Sequence, residues 1–126
     1  MNIAICTLYE GHYHFGLAAL VNSLEVNGFK GSIYIGYRGA LPPWAVIAEP
    51  DPSLQWSEGK SLKLTSHLSL HFLPLSTKWH LTNYKPTFML DLFKGPAAGA
   101  KGIFYFDPDI TVLRSWDNFE DWISNQ

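Results

Sequence analysis

The sequence predicts an α/β fold, with a mostly parallel sheet and helices on both faces. Three observations carry that prediction. Apolar runs at residues 2–8, 32–37, 69–74 and 103–106 have the length and the continuous hydrophobicity of buried strands. Residues 13–27 and 86–94 instead repeat their apolar positions at helical spacing. The first strand, helix and second strand follow one another with short connections, the mark of a βαβ unit with a right-handed crossover.

The first run, NIAICTL, reads as a buried strand that gives way to a turn over Tyr9–Gly11. Leu17, Leu20, Val21 and Leu24 then share one helix face. Asn27-Gly28 stops that helix, because glycine takes the left-handed cap conformation at little cost. SIYIGY, residues 32–37, is the second strand. The stretch 38–59 contains Pro42, Pro43, Pro50 and Pro52 and is expected to be irregular, with one helical turn near Trp44–Ile47.

SLHFLP, residues 69–74, is the next strand, and a polar loop is expected over 76–83. The second helix is expected to open at Pro86, whose fixed φ suits a first turn, with Lys85 at the N-cap. Its apolar face is Phe88, Met89, Leu92 and Phe93, and Lys94-Gly95-Pro96 ends it. The strand IFYF follows. The tail reads as a short amphipathic helix carrying Trp116, Phe119, Trp122 and Ile123.

The totals bound the function. A chain of 126 residues, 47% apolar, supports one domain with a real core. A net charge of −2 with no basic stripe argues against a nucleic-acid partner. Cys6 is the single cysteine, so no internal disulfide forms, and it reads as a small core residue. The N-terminus lacks the basic and apolar regions of a signal peptide, and no run nears the roughly 20 apolar residues of a membrane span. A cytoplasmic protein is the expectation.

The chemistry concentrates in IFYFDPDITVL, residues 103–113. An apolar strand there ends on Asp107 and Asp109. In an extended chain, residues i and i+2 point to the same side, about 6–7 Å apart. Two ionised carboxylates at the edge of an apolar core repel each other and resist desolvation. A divalent cation removes both objections, and hard oxygen ligands suit Mn²⁺ or Mg²⁺. The plainer alternative is a solvated turn, since Asp and Pro are ordinary turn residues. The position favours a site, because ligands of open α/β sheets sit at the carboxyl ends of strands.

FDPDITV also resembles the nucleophile strand of haloacid-dehalogenase-like phosphatases, which would make Asp107 the nucleophile and Asp109 the general acid/base. That family carries the motif on its first strand, whereas only seventeen residues follow Asp109 in this chain. A second resemblance is broader. IAICTLYEGHYHFGLAALVNSL, NYKPTFMLDLF and IFYFDPDITVL, in that order, are similar to the opening, the segment before the metal motif, and the D-x-D metal motif of GT-A glycosyltransferases close to family 8.

This resemblance implies a GT-A sheet that binds a nucleoside-diphosphate sugar, a UDP-sugar in particular. Asp109 would hold Mn²⁺ or Mg²⁺, and Asp107 would bind the metal or the ribose. Thr7 and Leu8 would lie against the nucleoside, Tyr13 would stack on the base, and Lys85 would sit near the phosphates. Gly11-His12 stand where the family often has Asn-Asp. The family's later metal-binding histidine and its acceptor site have no counterpart. The chain is therefore expected to be a donor-binding half, with apolar surface that favours self-association. A non-catalytic nucleotide-sugar-binding domain of the same fold is the alternative.

Other polar residues carry weaker signals. His67 and His71 form H-x₃-H on what reads as strand and loop, with no third metal ligand evident. His12 and His14 fall in the turn after the first strand, near the expected donor site, and read as exposed turn residues, with a substrate contact as the alternative. Trp116 and Trp122 read as packing residues at helical spacing. Neither G-x-S-x-G nor a glycine-rich phosphate loop occurs.

Overall fold

The computed structural model describes residues 2–124. Six strands form one mixed sheet: β1 (Ile3–Glu10), β2 (Gly31–Arg38), β3 (Glu49–Pro50), β4 (Lys60–Lys63), β5 (Leu68–Pro74) and β6 (Gly102–Tyr105). Their spatial order is β3-β4-β5-β2-β1-β6. The pairs β1–β2, β2–β5 and β1–β6 are parallel, while β3 and β4 add an antiparallel margin. Three helices accompany the sheet: α1 (His14–Val26), α2 (Leu81–Lys94) and α3 (Trp116–Ser124).

The alternation of β1 divides the core in two. Ile3, Ile5 and Tyr9 face Leu17, Leu20, Val21 and Leu24 of α1, together with Trp116 of α3. Ala4, Cys6 and Leu8 face Phe88 and Leu92 of α2. Helices thus cover both faces of a mostly parallel sheet. The topology explains why. From β1 the chain steps to β2 and then β5 in one direction, and α2 returns it past β1 to β6. Right-handed crossovers running in opposite directions place their helices on opposite faces.

Gly36 of β2 sets how closely α2 approaches the sheet. A Cβ there would lie 2.7 Å from Cδ2 of Leu8 and 2.9 Å from the ring of Phe88. The missing side chain is the space that Phe88 fills. Phe88 in turn fixes the register of α2, and with it Lys85 one turn earlier.

Four sequence expectations are corrected. The strand β1 runs to Glu10, so Tyr9 and Glu10 are strand residues and the turn is a short 3₁₀ segment at Gly11–Tyr13. The 38–59 stretch is not wholly irregular: it contributes β3, which pairs with β4 just beyond it. The helix α2 opens at Leu81, not Pro86. His80 is its N-cap, with Nδ1 accepting from the Thr82 amide at 3.2 Å. Pro86 lies inside the helix, and Lys85 is a helical residue instead of a cap.

The fourth correction concerns the D-x-D segment. The chain does not continue extended past Phe106. The Ile110 amide donates to the Asp107 carbonyl at 3.1 Å, which closes a β-turn with Pro108 and Asp109 at its centre. Among the described residues, no further strand follows. Val112 is held against α1 instead, its amide donating to Ser23 Oγ at 2.9 Å and its carbonyl accepting from Asn27 Nδ2 at 2.9 Å.

At the end of α1, Asn27 is the C-cap and Gly28 takes φ +88°, the left-handed stop expected of it. In α3, Trp116 is buried among Phe29, Phe104 and Phe119, while Trp122 is exposed. The side chain of Ile123 lies outside the described residues. Among the described residues, no helix is long and apolar enough to cross a membrane.

Candidate functional site

The strand order reverses at β1. Its neighbour β2 begins the path in one direction, and its other neighbour β6 is reached only by the return through α2. Such a switch point opens a crevice outside the carboxyl ends of the two strands, because the connections that follow them leave to opposite sides. A cavity of about 320 Å³ occupies this place. Leu8, Tyr9 and Glu10 line it from β1, and Tyr105 and Asp107–Asp109 from the end of β6. Tyr13 closes one side, and His80, Leu81, Thr82 and Lys85 bring in the start of α2.

Five of the six residues singled out from the sequence therefore meet at one crevice: Leu8, Tyr13, Lys85, Asp107 and Asp109. Thr7 does not. It points to the α1 face with Ile5 and Tyr9, is fully buried, and its Oγ1 has no hydrogen-bond partner. Tyr13 is 62% exposed, so its ring is free to take a planar ligand.

Two contacts define the electrostatics. Lys85 Nζ lies 3.0 Å from Asp107 Oδ1. The same ammonium sits 4.7 Å from the centroid of the Tyr105 ring, a cation–π distance. Tyr105 precedes Asp107 by two residues, so a carboxylate, an ammonium and an aromatic face are clustered by one strand end and one helix. Burial raises the Tyr105 phenol above its ordinary range, and the Asp107 charge pushes it the same way. The phenol thus stays protonated, with Asp107 as its hydrogen-bond partner.

The turn that carries the acids is seated on α1. Gly16, in the first turn of that helix, has no room for a Cβ because the Pro108 carbonyl occupies the position. The first turn of α1 and the first turns of α2 therefore flank the crevice from opposite faces of the sheet.

The donor set can be compared with what a metal needs. Among the described residues, no group of three or more His, Cys, Asp or Glu side chains could hold a metal ion. One carboxylate oxygen of Asp107 is already engaged by Lys85. These residues do not form a metal cage. They match the lesser demand of Mg²⁺ or Mn²⁺, which is often held by one or two carboxylates and completes its shell with water and phosphate oxygens.

The remaining polar residues fall elsewhere. His71 lies on β5, its Nδ1 2.7 Å from Ser61 Oγ and its Nε2 3.0 Å from Ser32 Oγ. Ser61 Oγ donates to Asp51 at 2.6 Å, completing a polar chain that ties β4 to β5 and β2. Burial lowers the pKa of His71, with Asp51 opposing. His67 is exposed in the preceding turn, so the two histidines form no metal pair. His12 and His14 do not line the crevice. Burial pushes the Cys6 thiol up to about 12, as befits an unreactive core residue. A separate apolar groove of about 420 Å³ runs between β6 and α3, lined by Phe104, Phe106, Phe119 and Trp122.

His80 and Tyr105 are among the crevice residues that the sequence reading passed over, with Tyr9, Glu10, Leu81 and Thr82. Tyr105 was readable by strand alternation, since it shares a side with Asp107. His80 was not, because histidine is not among the usual capping residues.

No family model, curated protein or solved structure matches this chain.

Proposed function

We propose that the crevice binds a nucleoside-diphosphate sugar, with a UDP-sugar as the first candidate, and that the chain is the donor-binding part of a glycosyltransferase of GT-A type. The observation that carries this reading is the meeting of Tyr13, Lys85, Asp107 and Asp109 at the switch point of a parallel sheet. An exposed aromatic ring, a cation and two carboxylates are the groups such a donor requires: a stacking surface, a phosphate partner, and ligands for a metal or a ribose.

In this arrangement Tyr13 stacks on the base. Lys85, on the first turns of α2, faces the diphosphate, where the positive end of the helix dipole adds to its charge. Asp107 and Asp109 would hold Mn²⁺ or Mg²⁺. Such a metal, when bound, would supply the Lewis acid that neutralises a departing diphosphate. The residues of this chain bind and orient the donor, and the sugar passes to an acceptor hydroxyl. The phosphatase reading has less support. Asp107 follows the sixth strand and not the first, and Lys85 already engages the carboxylate that would have to attack.

Calorimetric titration of UDP, with and without Mn²⁺, tests the proposal. Saturable UDP binding that strengthens with Mn²⁺ and is lost in Asp109→Ala is the expected result. No UDP binding under either condition rejects it. Hydrolysis of a simple phosphate ester that disappears in Asp107→Asn would favour the phosphatase.

A further inference from the structure

We infer that Lys85 is a built-in lock on the carboxylates of the crevice, so that a divalent metal gains access only together with the diphosphate. This inference rests on the nucleotide-binding reading of the crevice and concerns how that site is controlled. Its basis is the pairing of Lys85 Nζ with Asp107 Oδ1 at 3.0 Å and its seat over the Tyr105 ring at 4.7 Å.

Lys85 is held at two points, by a charge and by an aromatic face, and it starts from a helix that Phe88 anchors in the core. Its side chain is 30% exposed and that of Asp107 48%, so the pair is partly shielded from solvent. A divalent ion that bound to Asp107 would come within a few ångströms of an ammonium. Like charges at that distance repel strongly wherever water screens them poorly. Asp107 with Lys85 in place is therefore a neutralised ligand.

A diphosphate changes the balance without any rearrangement of the fold. Its oxygens offer Lys85 a charge-assisted partner at least as good as one carboxylate. Lys85 can then turn from Asp107 to the phosphates while keeping its place on α2. Asp107 then keeps only its hydrogen bond with Tyr105 and no counter-charge, two residues from Asp109, a condition under which neighbouring carboxylates favour a cation. Binding of the nucleotide and of the metal thus become coupled, and coupling of this kind is reciprocal.

The test measures Mn²⁺ binding directly, by the loss of the free-ion electron paramagnetic resonance signal, with the intact chain and its Lys85→Met and Lys85→Arg variants. Circular dichroism confirms that each is folded. For the native chain, Mn²⁺ alone should bind weakly, and saturating UDP should tighten it by about tenfold or more, within the usual range of binding coupling. In Lys85→Met, Mn²⁺ alone should bind about tenfold tighter than to the native chain, since the competing cation is gone. Lys85→Arg should retain the lock. If Mn²⁺ alone binds the native chain as tightly as Lys85→Met while UDP still binds, the lock is wrong and the nucleotide site stands. If UDP binds no variant with or without Mn²⁺, the nucleotide reading falls and the lock falls with it.

Discussion

Gly16 and Pro108 are in backbone contact: the carbonyl of the proline fills the space that a side chain on the glycine would need. One residue lies in the first turn of α1 and the other sits between the two acids of the crevice, ninety-two positions later in the chain. The turn that presents Asp107 and Asp109 is therefore shaped by the surface of a helix that belongs to the first βαβ unit.

Gly16→Ala should displace that turn. The added methyl meets backbone, which cannot swing aside as a flexible side chain would. Overpacking of this kind typically costs about 1–3 kcal/mol. The expected outcome is a lower urea midpoint together with at least a tenfold loss of UDP affinity in the presence of Mn²⁺, equivalent to roughly 1.4 kcal/mol. Ala at the exposed Gly99, where a Cβ meets nothing within 4 Å, is the control and should leave UDP binding unchanged.

Tyr13→Ala separates binding from folding. The ring is 62% exposed, so its loss should leave the thermal midpoint within a degree or so of the native value. Base stacking on an aromatic side chain contributes about 1–3 kcal/mol. UDP affinity should therefore fall by roughly five- to 150-fold, measured by calorimetry.

Thr7→Val should do the opposite. The hydroxyl is buried and has no partner, and an unsatisfied buried polar group carries a desolvation penalty of about 1–3 kcal/mol. Valine keeps the shape and removes that penalty. Stability should rise by about 1 kcal/mol with UDP affinity unchanged. A marked loss of UDP binding in Thr7→Val would show that the threonine contacts the nucleoside after all.

The three substitutions also mark what could be read before the structure. The two acids stand out because a strand end and a proline mark them, whereas Tyr13 comes from the family resemblance alone and Lys85 from that resemblance together with an expected helix start. Thr7 misleads because the place where β1 ends is not visible. YE continues the strand in place of a turn, which moves Thr7 from the rim to the buried middle. Likewise Pro86 announces a helix start five residues late, because the side chain that caps α2 is His80. The strand β4, KSLK, has two lysines and a serine for one apolar residue. A margin strand open to solvent needs no apolar run, so nothing in its pattern distinguishes it from a loop.

The polar chain Ser32–His71–Ser61–Asp51 gives a pH prediction. Burial lowers the His71 pKa beneath its ordinary 6.5, so the folded protein holds the imidazole neutral where the unfolded chain would protonate it. The unfolded state then binds more protons below 6.5, and stability falls as pH drops from there through the folded value. Above 6.5 this contribution is complete. Urea midpoints of the native chain and His71→Gln between pH 8 and pH 5 should differ in slope, the variant losing less on acidification. Parallel slopes would remove His71 as the source.

The four register pairs between β1 and β6, from Ile3 opposite Gly102 to Cys6 opposite Tyr105, are the whole sheet contact between the last strand and the rest. The crevice lies where that short ladder stops. A ligand lodged there touches the chain on both sides of the seam, so it acts as a clasp across a short join in the sheet. Its protective effect would spread well beyond the residues it touches: amides along β6 and the segment that follows would exchange more slowly with solvent once the clasp is closed.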